Sequence, residues 1–73
     1  VLNIESERVM KNIKLIEVRK KRRLTQVEVA KKVGISEVSY QRIEYGTQRP
    51  SLDTAILIAR SVKSTVEKLF GPA

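Results

Sequence analysis

The sequence predicts an all-α fold, a compact five-helix domain built around a helix-turn-helix. Three observations carry that expectation. Apolar residues recur at helical spacing in five short segments. Ser, Thr or Gly stand where those segments begin and end. Residues 25–46 hold two such segments separated only by Val33-Gly34-Ile35-Ser36. Two capped helices joined by a short turn around a glycine make a helix-turn-helix.

The first helix is expected over residues 11–23, with Leu15, Val18 and Arg19 on one face through their three- and four-residue spacing. Its end is the run Arg19-Lys20-Lys21-Arg22-Arg23. Cations there complement the negative end of the helix dipole. The same run also suits a phosphate-facing patch, and the letters alone fit a localisation signal or a calmodulin-type helix. Residues 1–10 are set apart as an N-terminal extension. They are either appended residues before a start at Met10 or part of a longer chain, and Ser6 could cap a helix within them. The helix-turn-helix domain is assigned to residues 11–71.

The second helix is expected over residues 26–33. Thr25 and Glu28 have the Thr-x-x-Glu spacing of a capping box. Val29, Ala30 and Val33 form its buried stripe, Lys31 and Lys32 its solvent side, and Gly34 its left-handed stop. The third helix is expected over residues 37–45, capped by Ser36 and stopped by Gly46. Tyr40 and Ile43 point inward with Ile35, leaving Glu37, Val38, Gln41, Arg42 and Tyr45 on the opposite side. Tyr40 is read as a core residue with a wet hydroxyl rather than a base-stacking group.

The loop Thr47-Gln48-Arg49-Pro50 follows, and Pro50 blocks an immediate restart. The fourth helix is expected over residues 52–62 behind Ser51, with Leu52, Ala55, Ile56, Ile58, Ala59 and Val62 as its apolar face. Leu57 makes this helix apolar nearly all round, which implies extra burial. Ser64 and Glu67 are spaced as a second capping box for a fifth helix through Val66, Leu69 and Phe70, ended by Gly71-Pro72. Lys63 stands where a left-handed residue is usual, at a cost on the order of 1 kcal/mol.

Composition narrows the function. The chain has 73 residues, which suits one domain, and no Cys or His. Disulfides, thiolate metal sites and the commonest general base are therefore absent. No apolar run reaches the roughly 20 residues of a membrane span, and no segment has a signal-peptide layout. Fifteen Lys and Arg against eight Asp and Glu leave a formal charge of +7. An excess of that size favours a polyanion, nucleic acid first and an anionic membrane second, although solubility alone also uses it. Eight of the fifteen basic residues lie between Arg8 and Arg23.

Several segments together are similar to a known family. They are Leu24-Thr25-Gln26, Val29-Ala30, Gly34-Ile35-Ser36, Arg42-Ile43-Glu44 with Gly46, Pro50-Ser51-Leu52-Asp53-Thr54 and Leu69-Phe70. From about Ile13 to Phe70 the chain resembles the phage repressor/Cro-like, or XRE-family, helix-turn-helix domain, a lambda-repressor-like fold. The resemblance implies a DNA-binding transcription regulator that acts as a dimer on palindromic operators, with helix 3 in the major groove. Helix-turn-helix geometry brings the first residues of that helix to base edges. Glu37, Val38, Gln41 and Arg42 are the expected base readers. Arg42 suits guanine O6 and N7, Glu37 a cytosine amine, and Val38 a thymine methyl. The alternatives are dipole complementation for Glu37 and a phosphate contact for Arg42.

Gln26 at the start of helix 2 is the expected backbone contact, by the anion preference of helix N-termini and by family position. Thr25, Ser36, Tyr45, Thr47, Gln48 and Arg49 are assigned as DNA-backbone or adjacent residues, and Gln48 matches a position that sometimes reaches a base. The resemblance also implies a structural ion pair between Arg19 and Glu44. Two departures stand out. Leu57 and Val27 occupy commonly polar positions, and Leu57 with the Val66–Phe70 region is either a dimer surface or denser monomer packing.

The expected partners are double-stranded DNA and a second copy of the chain, with no membrane, small-molecule ligand or cofactor, in a cytoplasmic, nucleoid-associated setting. An enzyme is not expected. Two other readings stay open: an antitoxin that binds a protein as well as its promoter, and an interaction module using the basic helix on anionic surfaces.

Overall fold

A computed structural model describes residues 11–71 of the chain. It contains five helices: α1 Ile13–Lys21, α2 Gln26–Val33, α3 Glu37–Tyr45, α4 Leu52–Ser61 and α5 Val66–Phe70. No strand occurs among the described residues. The suggested Ser6 cap and the proposed extension over residues 1–10 lie outside them.

Local chemistry sets the helix ends. The Thr25 hydroxyl accepts from Glu28 N–H at 3.1 Å, and Thr25 N–H donates to Glu28 Oε1 at 2.9 Å, completing the capping box of α2. Those bonds to the backbone and side chain of Thr25 hold the Glu28 carboxyl below its usual range. Ser36 caps α3 by accepting from Ser39 N–H at 3.1 Å, and Ser51 caps α4 by accepting from Thr54 N–H at 3.2 Å. Gly34 and Gly46 end α2 and α3 with φ of 84° and 82°. Glycine reaches this left-handed region without the Cβ clash other residues pay.

The structure corrects four sequence expectations. First, α1 stops at Lys21 rather than Arg23. Arg22 N–H bonds back to Val18 O and Arg23 takes φ 57°, so Leu24 N–H can reach Arg19 O at 3.2 Å. The tight closure lets Leu24 turn down onto the core beside Val18. Second, α5 is capped by Thr65, whose hydroxyl accepts from Lys68 N–H at 3.1 Å. Ser64 is instead held by its N–H on Ala59 O at 2.8 Å, so the Ser64–Glu67 box does not form. Lys63 before it takes φ 55°, the left-handed conformation its position demands. Third, Leu52 is 70% exposed: it shares the face of Ala55 and Ala59, but as the first residue of α4 it stands at the open end of that face. Fourth, Leu57 is 41% exposed and is not among the residues of the monomer core.

The core joins Leu15, Val29, Ala30, Val33, Tyr40, Ile43, Ile58, Ala59, Val62 and Leu69, with Val18, Leu24, Ile35, Val66 and Phe70 packed around it. In this core α2 packs on α3 and α4, α4 on α5, and α1 on both α3 and α5. Asn12 ties the two ends of the fold together. Its Oδ1 accepts from Leu15 N–H at 3.1 Å, and its Nδ2 donates to Leu69 O at 2.9 Å. The Ser51 side chain bonds to Thr54 in its own first turn, to the backbone N–H at 3.2 Å and the hydroxyl at 3.0 Å, so its cap can be tested separately. Ser51→Ala is expected to cost about 1 kcal/mol, which for a domain this small lowers Tm by roughly 4–8 °C.

Candidate nucleic-acid interface

One hundred degrees per residue places Glu37, Gln41, Tyr45, Val38 and Arg42 within an arc of about 140° on α3. The opposite arc carries Tyr40, Ile43 and Glu44, all buried. The outer arc is open to solvent: Val38 is 54% and Tyr45 48% exposed, Glu37 and Arg42 are exposed, and Gln41 is partly so. Gln41 Nε2 donates to Glu37 Oε2 at 3.2 Å, which links two neighbours on this face. Exposed apolar Val38 beside polar side chains suits base edges, which offer a thymine methyl as well as hydrogen-bonding groups.

The ends of the neighbouring elements flank this arc. Thr25 and Ser36 sit at the N-termini of α2 and α3, engaged as caps. Thr47, Gln48 and Arg49 leave the far end of α3 in a turn gathered on one acceptor, Arg42 O. Thr47 N–H reaches it at 3.0 Å, Gln48 N–H at 3.3 Å and the Thr47 hydroxyl at 3.3 Å. Thr47 and Arg49 are exposed and Gln48 partly so. Arg42 therefore holds the loop through its backbone while its side chain stays on the open face.

Behind α3 lies a buried polar hub centred on Glu44, which is 2% exposed. Arg19 Nε and Nη2 both donate to its carboxylate, the latter at 3.1 Å, and Arg19 Nη1 donates to Leu24 O at 2.9 Å. Tyr40 Oη donates to Glu44 Oε2 at 2.6 Å, and Gln26 Nε2 to Glu44 Oε1 at 2.9 Å. On the backbone, Asn12 N–H donates to Glu44 O at 2.7 Å. One carboxylate thus fixes α1, the start of α2 and the last turns of α3 to each other. No buried side-chain N or O among the described residues lacks a partner, the condition under which a buried network rigidifies rather than destabilises.

One residue here differs from its sequence reading, and another has a contact the reading did not include. The Tyr40 hydroxyl is not wet, since Tyr40 has 0% exposure and spends its proton on Glu44. Gln26 turns one amide N–H inward to Glu44. An amide nitrogen has two donors, so the second is available to a phosphate. Sequence reasoning missed the roles of Tyr40 and Asn12. The four-residue step from Tyr40 to Glu44 was the available signal for the first, and an Asn just ahead of a helical pattern for the second.

Protonation follows from these contacts. Burial would raise the Glu44 pKa, but the bonds from Arg19, Tyr40 and Gln26 outweigh it and hold the carboxyl below the usual range. Burial and the Glu44 bond push the Tyr40 phenol up. The Glu44 bond also raises Arg19. A depressed carboxyl pKa contributes stability above its unfolded value near 4.3 that is lost as pH falls through the folded value. A raised phenol pKa contributes stability below about 10 that is lost as pH rises beyond it. Urea midpoints measured across pH are therefore expected to hold a plateau from about 5 to 9 and fall on both sides. Tyr40→Phe should remove the alkaline loss that this phenol causes.

Among the described residues, no group of three or more Asp or Glu side chains is placed to hold a metal ion. No helix there is long and apolar enough to cross a membrane.

A solvent-facing helix with mixed polar and apolar chemistry, set at the second position of a helix-turn-helix and braced from behind, defines a helix-turn-helix recognition domain. A sequence profile described as "Helix-turn-helix" matches residues 15–69, and the chain belongs to that family, in its Cro/C1-type (XRE) branch. It is 33% identical over 58 residues to the uncharacterised HTH-type transcriptional regulator YobD of Bacillus subtilis, covering 80% of this chain and 52% of that protein. It is 43% identical over 54 residues to an uncharacterised HTH-type transcriptional regulator of Archaeoglobus fulgidus, covering 74% of this chain and 77% of the relative. The aligned region thus spans about half the length of the first relative.

Solved structures share the fold. The DNA-binding domain of the P22 C2 repressor superposes with a TM-score of 0.76 at 20% identity, over 82% of this chain and 79% of that one. The biofilm master regulator SinR, solved in complex with DNA, gives 0.72 at 23% identity, over 82% and 97%.

Proposed function

We propose that this chain is a sequence-specific double-stranded DNA-binding transcription regulator. It acts as a repressor, binding a palindromic operator as a dimer with α3 in the major groove. The observation that carries the reading is the outer arc of α3. Glu37, Val38, Gln41 and Arg42 stand free on one face of a helix whose other face is locked by the Glu44 hub. Family membership and two relatives named as transcriptional regulators support it. The excess of seven positive charges supplies the sequence-independent attraction to phosphates.

In this reading Arg42 and Gln41 offer donors to purine edges, Glu37 accepts from a cytosine amine, and Val38 meets a thymine methyl. Thr25, Gln26, Ser36, Tyr45, Thr47, Gln48 and Arg49 hold the flanking backbone, which sets register without reading sequence. Arg19 and Glu44 touch no DNA and set the orientation of α3. The protein is not an enzyme and works in the cytoplasm on the nucleoid. Two copies related by a twofold axis match the symmetry of a palindrome, and exposed Leu57 is the proposed dimer surface.

Fluorescence anisotropy on duplex DNA over a salt series, with sedimentation of the complex, tests this directly. The reading expects log K to fall by about 0.9 per phosphate neutralised for each tenfold rise in salt and two chains per site. Salt-independent binding, or preference for anionic vesicles over duplex, contradicts it.

A second reading makes the same domain an antitoxin that also binds a protein. The exposure of Leu52 and Leu57 on α4, away from the α3 arc, is what favours it. A stable heterocomplex occluding those leucines would distinguish it from the homodimer.

A further inference from the structure

A cleft of about 410 Å³ opens between α1, the start of α2 and the end of α3. Its rim and walls combine opposite chemistries. Lys11 and Lys20 line it, both exposed, while Ile13, Ile16 and the Tyr45 ring supply apolar surface. Ile13, Ile16 and Lys20 are three and four residues apart, so one face of α1 makes this wall. Gln26 enters from the first turn of α2, and the Arg19–Glu44 pair closes the floor. That pair is internally neutralised, so the cleft keeps the charge of its two lysines.

Lys11 has a favoured place beside α3. Its Nζ sits 5.3 Å from the centroid of the Tyr45 ring, within cation–π range. Its backbone neighbour Asn12 is fixed on Glu44 O. The ammonium is therefore stationed beside the last residue of the outer arc of α3, with less side-chain freedom to lose on meeting an anion. Ile13 is 54% exposed directly next to it, an apolar surface on a wall otherwise rimmed by charge.

We propose that this cleft is a DNA-backbone clamp. Lys11, stationed by Tyr45, takes one phosphate of the strand flanking α3, Lys20 supports it across the cleft, and the adjoining deoxyribose packs on Ile13 and the Tyr45 ring. A nucleic-acid backbone alternates anionic and apolar units along its length, which is the pattern the cleft presents. The clamp rests on the DNA-binding reading above and adds to it a docking register for the α1 end of α3.

The test uses the full chain on its selected duplex, comparing wild type, Lys11→Gln, Lys11→Arg and Tyr45→Leu over a salt series. Lys11→Gln is expected to reduce the salt slope by about 0.9 and to weaken binding several-fold at low salt, while the order of preference among duplexes stays the same. Lys11→Arg restores the slope. Tyr45→Leu, which keeps apolar surface but removes the ring, weakens binding with a smaller change in slope.

A scan of single methylphosphonate substitutions then locates the partner. One position should cost the wild type affinity and cost Lys11→Gln nothing further. An unchanged slope in Lys11→Gln, or identical methylphosphonate profiles in the two proteins, overturns the clamp and leaves the DNA-binding reading standing. A wild type that binds no duplex overturns both.

Discussion

Glu44→Ala is expected to destabilise the domain by about 3–5 kcal/mol, the cost of removing one member of a buried ion pair. The substitution strips the partner from Arg19, Tyr40 and Gln26 at once. Arg19 is then a buried cation with its planar guanidinium facing a void. A domain of this size has only about 4–11 kcal/mol of total stability, so thermal melting should show a Tm lower by at least roughly 12 °C or no cooperative transition. A variant retaining wild-type Tm would mean the hub does not organise the fold.

Charge and shape separate further. Glu44→Gln keeps the shape and loses the charge, so it is expected to fall between wild type and Glu44→Ala. Replacing the network by apolar residues (Arg19→Met, Glu44→Leu and Tyr40→Phe together) should recover much of the stability, because burying charges costs nearly what pairing them returns. The apolar triple variant would have lost the bond from Gln26, and with it the brace on α2. Its DNA binding is expected to remain weaker than wild type even where its Tm recovers.

Arg42→Ala is the second large effect, and it falls on recognition rather than folding. Arg42 is exposed, and its backbone carbonyl, not its side chain, holds the Thr47–Gln48 turn. Tm should therefore change little, since surface substitutions of this kind stay within about 0.5 kcal/mol. Discrimination at one base pair of each half-site is expected to drop by roughly 1–3 kcal/mol, the value of a bidentate arginine–guanine pair. If Arg42 instead holds a phosphate, the same variant weakens all duplexes alike and reduces the salt slope by about 1. A competition series against single-base variants of the site distinguishes the two.

The fold was legible because its signals are local. Thr25, Ser36 and Ser51 announce helix starts, Gly34 and Gly46 announce ends, and the Val29-Ala30-Val33 stripe states which side of α2 is covered. Each is settled within one or two turns of chain. The misreadings sit at helix ends, where the way the chain closes onto the core competes with the local pattern. Ser64 has the right spacing to Glu67, yet its N–H is taken by Ala59 O and the cap falls on Thr65. The basic run looked helical to Arg23, but burying Leu24 required an earlier turn with Arg23 left-handed.

The site was legible to a different degree. The outer arc of α3 follows from counting residues round a helix. The Arg19–Glu44 pair, 25 residues apart, came only through family resemblance, because composition carries no trace of such a distance. Gln26 joining the same carboxylate could not be foreseen from spacing along α2, since it depends on the angle at which α2 and α3 meet, whereas the Tyr40–Glu44 step lies within α3 itself. Lys11 is similar. Only the position of Tyr45 against the start of α1 gives an ordinary lysine a favoured place beside α3.

The central claim is that α3 reads sequence through its outer arc. The most direct measurement is selection of bound duplexes from a random library by the wild type and by Arg42→Ala in parallel. The expected result is one enriched motif with twofold-related halves for the wild type, and the same motif with one degenerate base pair per half for the variant. Recovery of no common motif, or of identical motifs from both proteins, would contradict it.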